Sequence, residues 1–368
     1  MPSAIQRSLP FVVVLIAAHM AGNVYATTPT TSQVVAEFDK AVSAGLPQVL
    51  QLPPESHLPH ELRTDTQQHR GPDAQTESLD LIVQSRMRSA VIFPDDTVAT
   101  LYDATWNGTP VVITRIGERL DITSHDAEAI DVTGFVADRD RIDHHGVPVS
   151  SAPVDTGPNA RRADAHAGLA VNEPAAPIME NASPYIPGID FWIFVHDDAL
   201  ATGIQRIHSE YVAWWIADLQ RNVITDRDLR VWYRTTIPTV TDFNYADRPS
   251  LITEWQNTAR AYFLEREVPR HPQSKYLLLT RHLISHTVEG RAQQGGDAGL
   301  ASLRGDALVI AHEFGHMLGA THEDSEVRGC GLWACHTTMD SGSFGSFFRA
   351  ATFDYSPGNK ANIRASLP

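Results

Sequence analysis

The stretch "ALVIAHEFGHMLGATHED", residues 307–324, sets three histidines, Glu313 and two glycines in an apolar run. On a helix, His312 and His316 stand four residues apart, stacked on one face a turn from each other, where two imidazoles can bind one zinc ion. Glu313 sits about 100° further round at ~3.6 residues per turn, so its carboxylate can reach a metal-held water without becoming a ligand. Gly319 allows the helix to stop and the chain to reverse, because glycine tolerates positive φ at a helix C-terminus; His322 then supplies a third nitrogen. Three neutral imidazoles with one position left open suit a catalytic zinc rather than a structural one. Such an ion lowers the pKa of its water toward ~7; Glu313 can take the remaining proton during attack on a carbonyl and return it to a leaving amine.

These residues need a helix with a firm start. Asp306 stands where its N-cap belongs, and Ala307 to Leu318 carry no breaker except Gly315. Upstream, strand and helix patterns alternate. "IDFWIFV" (189–195) is a nearly continuous apolar run, suited to a strand buried on both faces. Ile204, Ile207, Tyr211, Trp215, Leu219 and Val223 recur at helical spacing, and "DLRVWYRTTI" (228–237) is a second strand. Ser250 is placed to cap a helix through Leu251, Trp255, Ala259 and Phe263, and "SKYLLLTRHLI" (274–284) is a third strand. This β-α-β-α-β order requires a largely parallel sheet with helices against it. "GDAGLASLRGD" (296–306), polar and glycine-flanked, reads as a short exposed edge strand. The expected fold of residues 189–368 is therefore α/β (α+β), with a mixed, mostly parallel sheet and the histidine-bearing helix.

Residues 27–146 have a different character. "SQVVAEFDKAVSAG" looks helical, and the segment after it alternates apolar and polar residues around turn signals such as Asn107-Gly108, which predicts a smaller, mostly β domain. Between 147 and 188 the chain is rich in proline, so it reads as a linker or an extended wrap. Its Arg161-Arg162 pair is a place for proteolytic clipping or, equally, two solvated arginines.

Residues 1–26 carry Arg7, an apolar core from Phe11 to Ala18, and Val24-Tyr25-Ala26 as a small-residue cleavage site, the pattern of a signal peptide. The apolar run falls short of the ~20 residues that span a bilayer, so a soluble exported protein without a membrane span is expected. Cys330 and Cys335 are the chain's two cysteines, and in an oxidising compartment a disulfide closing "CGLWAC" is the first reading. Two free thiols or a metal pair are the alternatives, the latter weakened by a spacing unlike C-x-x-C. A net charge of -15 and no basic stripe exclude a nucleic-acid partner, whose affinity rests on clustered cations.

"HEFGHMLGATH" is H-E-x-x-H-x-x-G-x-x-H in full, and over roughly residues 186–368 the chain resembles the metzincin zinc endopeptidases. The resemblance implies one catalytic Zn2+ on His312, His316 and His322, with Glu313 as base. It implies a methionine in a tight turn beneath the metal, for which "CHTTMD" offers Met339, and a C-terminal helix in "FDYSPGNKANIRASL" with Ser356 as its cap. The Cys-loop ahead of Met339 is similar to that of adamalysins and their bacterial relatives, although Glu323 precedes Asp324 where adamalysins carry Asp directly after the third histidine.

A cleft of this kind would bind a protein or peptide substrate as an added strand along Gly299, Leu300 and Ala301. Phe344, Phe347 and Phe348 are candidates for the wall of the pocket beside the metal, or equally for ordinary core. The region from Thr27 to Gly188 is placed as a propeptide would be, where it could act as an intramolecular inhibitor or, equally, as a folding aid or an attached binding module. A cysteine switch is excluded because no cysteine precedes Cys330; "DRIDHHGVP" offers Asp143, His144 and His145 instead, or a solvated loop.

The leading expectation is a secreted zinc endopeptidase made as a zymogen. Two others compete: a non-catalytic zinc-containing binding protein, against which the intact Glu313 counts, and a zinc amidase acting on cell-wall peptide links.

Overall fold

The computed structural model describes residues 29–53, 79–126, 129–149, 188–266, 273–330, 333–340 and 349–367. The signal-like segment, Arg161-Arg162 and most of the proline-rich stretch lie outside the described residues.

Helix α1 (Thr31–Ala44) starts at a capping box, in which Thr30 Oγ1 accepts from the Gln33 N–H and Gln33 Oε1 accepts from the Thr30 N–H. Next come β1 (Gln48–Leu52) and an antiparallel meander of β2 (Leu79–Ile92), β3 (Val98–Trp106), β4 (Thr109–Ile116), β5 (Arg119–His125), β6 (Ala129–Val136) and β7 (Arg141–Pro148). Apolar residues on one face of this layer, among them Phe38, Leu81, Tyr102 and Trp106, close a core of their own under α1. Its other face sends Leu101, Val112 and Ile130 into a second core, so the middle strands are buried on both sides.

The second half holds β8 (Gly188–Val195), β9 (Asp228–Arg234), β10 (Ser274–Thr280), β11 (Gly290–Ala292) and β12 (Ala298–Ser302). Neighbours β8, β9, β10 and β12 pair in parallel, and β11 runs antiparallel on the edge. Here is the mixed, mostly parallel sheet that the β-α-β-α-β pattern predicts. The two halves share one sheet, because the end of β2 pairs in parallel with β9, Ala90 facing Arg230 and Ile92 facing Trp232. The strand order is β11-β12-β10-β8-β9-β2-β3-β4-β5-β6-β7, with β1 also on β2. Register shifts in β2 between Val83 and Ser85 and between Arg86 and Ala90 let it serve both neighbours, since a bulge bends and twists its strand.

The expectation of an exposed edge strand at 296–306 is corrected. Gly299, Leu300 and Ala301 are buried in β12, flanked by β10 and β11. Gly299 admits Met317 of the histidine-bearing helix on one face, where a Cβ would lie 3.2 Å from Met317 Cε, while Leu300 joins a core with Trp255 on the other. The edge is β11.

Residues 204–223 are helical as expected, but two π turns (His208–Val212 and Leu219–Val223) interrupt the regular turns α2 (Ile204–Ile207) and α3 (Ala213–Asp218). Every residue of α3 is buried, because the meander curls over a helix that also backs the parallel sheet. Polar groups on this helix are therefore matched from the N-terminal strands. Ser209 Oγ donates to Asp121 Oδ2 (2.7 Å), Thr123 Oγ1 donates to Ser209 O (3.2 Å), and His208 Nε2 lies 3.2 Å from Thr114 Oγ1. Burial pulls the His208 ring down to about 3, so it stays neutral. On the sheet's other face α4 (Leu251–Glu265) seats Trp255 edge-on to Phe194. Ser250 does not cap α4; its hydroxyl donates to Glu254 instead. No helix among the described residues is long and apolar enough to cross a membrane.

One buried group carries a pH signature. Burial pushes the Asp218 carboxyl from its ordinary 3.8 up to about 6, against the opposing pull of Asn222 and Lys360. A raised carboxyl contributes stability that is full below the unfolded value and lost as pH rises through the folded one. Asp218→Asn is thus expected to raise unfolding stability by about 1–2 kcal/mol at pH 8 and by little at pH 4. Denaturant melts of both proteins at the two pH values measure this; an equal gain at both would show that charge burial is not the cause.

Candidate metal centre

Helix α5 (Val309–Met317) carries the first two histidines. Asp306 Oδ1 accepts from the Leu308 N–H (2.9 Å) and Asp306 O from the Val309 N–H (2.9 Å), so Asp306 caps the opening turn although regular helix begins after Ala307. At the other end Gly319 adopts φ +96°, and the Ala320 N–H reaches back to Gly315 O (2.8 Å). This left-handed step sends the chain back along the helix with His322 pointing at the first two rings.

The returning loop is clamped from outside. Asn359, buried in α6 (Pro357–Ser366), accepts from the Thr321 N–H (2.7 Å) and donates to Thr321 O (3.0 Å). Ser356 caps that helix by accepting from the Asn359 N–H. His322 is thereby held by residues far along the chain.

The three Nε2 atoms converge, at 2.9 Å for His312–His322, 3.1 Å for His312–His316 and 3.0 Å for His316–His322. Their outer nitrogens decide what the inner ones can be. His312 Nδ1 lies 2.9 Å from Thr338 O, and His316 Nδ1 lies 2.9 Å from Gln294 Oε1 and 3.2 Å from Ala320 O. Carbonyl oxygens only accept, so both Nδ1 atoms carry the hydrogen and both Nε2 atoms present lone pairs to the centre. Converging lone pairs repel one another and are reconciled by a cation; this donor set fits a metal ion.

Gln294 is a residue the sequence did not single out. It follows β11, accepts from His316, and donates through Nε2 to Ala320 O (3.0 Å), so one amide grips both a candidate ligand and the turn that returns His322. Only the glycines after it signal a turn, and nothing in the sequence says where its amide points. Gln294→Ala is expected to weaken metal binding about 10- to 100-fold, the range for partners that orient a ligand. Competition with a metal-sensitive chelator reads this directly, and unchanged affinity would rule out the orienting role.

Beneath the helix Met339 is fully buried, and a Cβ built on Gly315 would lie 2.5 Å from its Sδ. Gly315, the one breaker in the helical run, is there to let the methionine in. Tyr355, also missed, donates its hydroxyl to Ala311 O (2.6 Å) and accepts from Trp215 Nε1 (2.9 Å). Phe314 stacks on Trp215 at 4.9 Å, which ties α5 to α3. Cys330 and Cys335 form a disulfide across the hairpin of β13 (Val327–Cys330) and β14 (Trp333–His336). A short β15 (Arg349–Ala351) completes that small sheet, while Phe344, Phe347 and Phe348 lie outside the described residues.

Glu313 is 5% exposed and faces the edge strand. A Cβ on Gly290 would lie 2.7 Å from Glu313 Cγ and Cδ and against its Oε1 as well. Gly299, Leu300 and Ala301 are therefore not at the sheet edge, which is formed by Gly290, Arg291 and Ala292 of β11. Asp143, His144 and His145 sit in β7: Asp143 pairs with Arg119 and Arg141, His144 Nδ1 lies 3.3 Å from Thr133 Oγ1, and His145 meets Glu210 Oε1 at 2.9 Å. Those partners belong to the sheet and the π-turned helix, which corrects their reading as a switch on the metal.

No protein-family model matches the chain, and no curated protein matches it in sequence. In fold it is similar to metalloproteinase-II from Bacteroides fragilis, known from a crystal structure, at a TM-score of 0.51 and 11% identity, with 90% of this chain and 95% of that chain covered. At that identity the likeness is one of fold.

Proposed function

We propose that this chain is a zinc-dependent endopeptidase, exported by its N-terminal segment and made as a zymogen. The observation that carries the reading is the convergence of three imidazole nitrogens beside a buried carboxylate and an open sheet edge. The fold likeness to a metalloproteinase supports it. An all-nitrogen site with a fourth position open suits zinc, which when bound supplies a Lewis acid that acidifies water and polarises a carbonyl.

The chain's own residues do the rest. The outer side of β11 pairs with the backbone of an extended peptide and aligns its carbonyl with the histidine site. Glu313 takes the proton of the attacking water at its carboxylate and returns it to the departing amine nitrogen. Met339 and Tyr355 hold the helix that carries the base at a fixed depth.

Residues 27–188 act as the inhibitory region in this reading, and Arg161-Arg162 is the site of clipping. Because β2 is hydrogen-bonded to β9, a cut in that segment alone leaves both pieces associated.

The purified protein, intact and after limited trypsin treatment, is expected to bind about one zinc per chain and to cleave an unfolded protein substrate. A chelator removes the activity, and one equivalent of zinc restores it. A zinc-loaded protein that cleaves nothing in either form would favour a binding role; cleavage of cell-wall peptide links alone would favour an amidase. Sequencing the N-terminus of the exported form checks the leader and the clip.

A further inference from the structure

We propose that a cavity beside the edge strand selects peptides with an acidic side chain on the C-terminal side of the scissile bond. This rests on the peptidase reading and adds a substrate class to it.

The cavity measures about 800 Å³. It opens where the chain leaves β10 and β12, at the carboxyl ends of parallel strands. Leu283, Leu303 and Tyr211 give it an apolar floor, and His282, His286 and Arg304 stand on its rim. All three rim side chains are exposed, and among the described residues none is paired with them.

The chain as a whole is acidic, with a net charge of -15. Arg291 is tied to Asp247 and Arg260 to Asp297, and Arg234 and Arg266 lie over aromatic rings; Arg304 has neither kind of partner among the described residues. The carboxylates nearest the cavity are committed elsewhere. Glu289 Oε2 accepts from the Asp306 N–H (2.9 Å), Asp306 Oδ1 accepts from the Leu308 N–H (2.9 Å), and Glu210 is paired with Arg206 and His145. A guanidinium left over in an acidic protein, beside two imidazoles and over an apolar floor, suits a carboxylate carried on a chain that buries its stem.

Placement sets the direction. Gly305, in the cavity wall, approaches Glu289, and the next residue, Gly290, touches Glu313. From there β11 runs away from the cavity toward Ala292. A peptide added antiparallel to β11, the commoner pairing, runs the other way, so its C-terminal portion leaves past residue 289 into the cavity. At ~3.3 Å per residue the acidic side chain falls about one to three residues beyond the cleaved bond.

The test uses the zinc-loaded full chain, intact and nicked, with fluorogenic peptides that differ at one position. One set places Glu, Gln or Lys one to three residues C-terminal to the bond; a second set makes the same changes N-terminal to it. The Glu peptide of the first set is expected to exceed the Gln peptide about tenfold in kcat/KM at low salt, with Lys below both. Arg304→Glu is expected to invert the Glu-to-Lys ratio. That ratio is read within one protein, so it does not depend on how much of the variant is folded. Equal rates across the first set overturn the cavity's role and leave the peptidase reading standing. A preference found only in the second set overturns the assigned direction. A ratio unmoved by Arg304→Glu overturns the assignment to this cavity. If no peptide is cut by either form, the peptidase reading and this inference fall together.

Discussion

Glu313→Gln is expected to lower kcat/KM for peptide hydrolysis by about 10²- to 10⁴-fold, the usual contribution of a positioned acid-base group. Zinc content is expected to stay at about one per chain, because the donor nitrogens are those of His312, His316 and His322. The amide preserves the size and burial of a side chain that is 5% exposed, so the loss is chemical rather than one of folding. In the proposed reaction it removes the site that would accept the water's proton and return it to the amine. Peptide kinetics and metal analysis on the same preparation check the pair of outcomes. Retained activity would rule out Glu313 as base, and lost zinc would place it in the metal site.

The second large effect is steric. Gly290→Ala puts a methyl group against Glu313 Oε1 and 2.7 Å from its Cγ and Cδ, closer than carbon atoms approach without displacement. The strand cannot easily yield, since Gly290 pairs with Ala301 of β12. The carboxylate must therefore swing away, and a fall of about 100-fold in kcat is expected, in line with the cost of misplacing a catalytic group by about 1 Å. Gly290 acts through Glu313, so the double variant with Glu313→Gln should be no slower than Glu313→Gln alone. Additive losses would show instead that Gly290 matters for holding the peptide strand.

Local chemistry was legible in the sequence because its rules are local. Helical spacing brings His312 and His316 together on α5, and Gly319 has the positive φ that its position after the helix required. Met339 was named by resemblance, and its depth beneath Gly315 is now explained by contact. Where the reading failed, the missing information was which neighbour covers a segment. "GDAGLASLRGD" reads as an exposed edge because it is polar and glycine-flanked, yet Gly299, Leu300 and Ala301 are buried between β10 and β11 with core on both faces. The stripe from Ile204 to Val223 predicted one helix; the structure interrupts it with two π turns and buries its central turn, α3, under a meander more than eighty residues earlier, with Thr114, Asp121 and Thr123 meeting its polar groups.

The three histidines that converge, their spacing and the strand–helix alternation that carries them could be read from the chain alone, since these follow from backbone geometry over a few residues. Which strand is the edge, that β2 joins the N-terminal strands to β9, and that Gln294, Gly290, Asn359 and Tyr355 pack around the three histidines and Glu313 came from the packed fold. Those facts depend on contacts between segments distant along the chain, where many partners of the same residue types would satisfy the same local pattern.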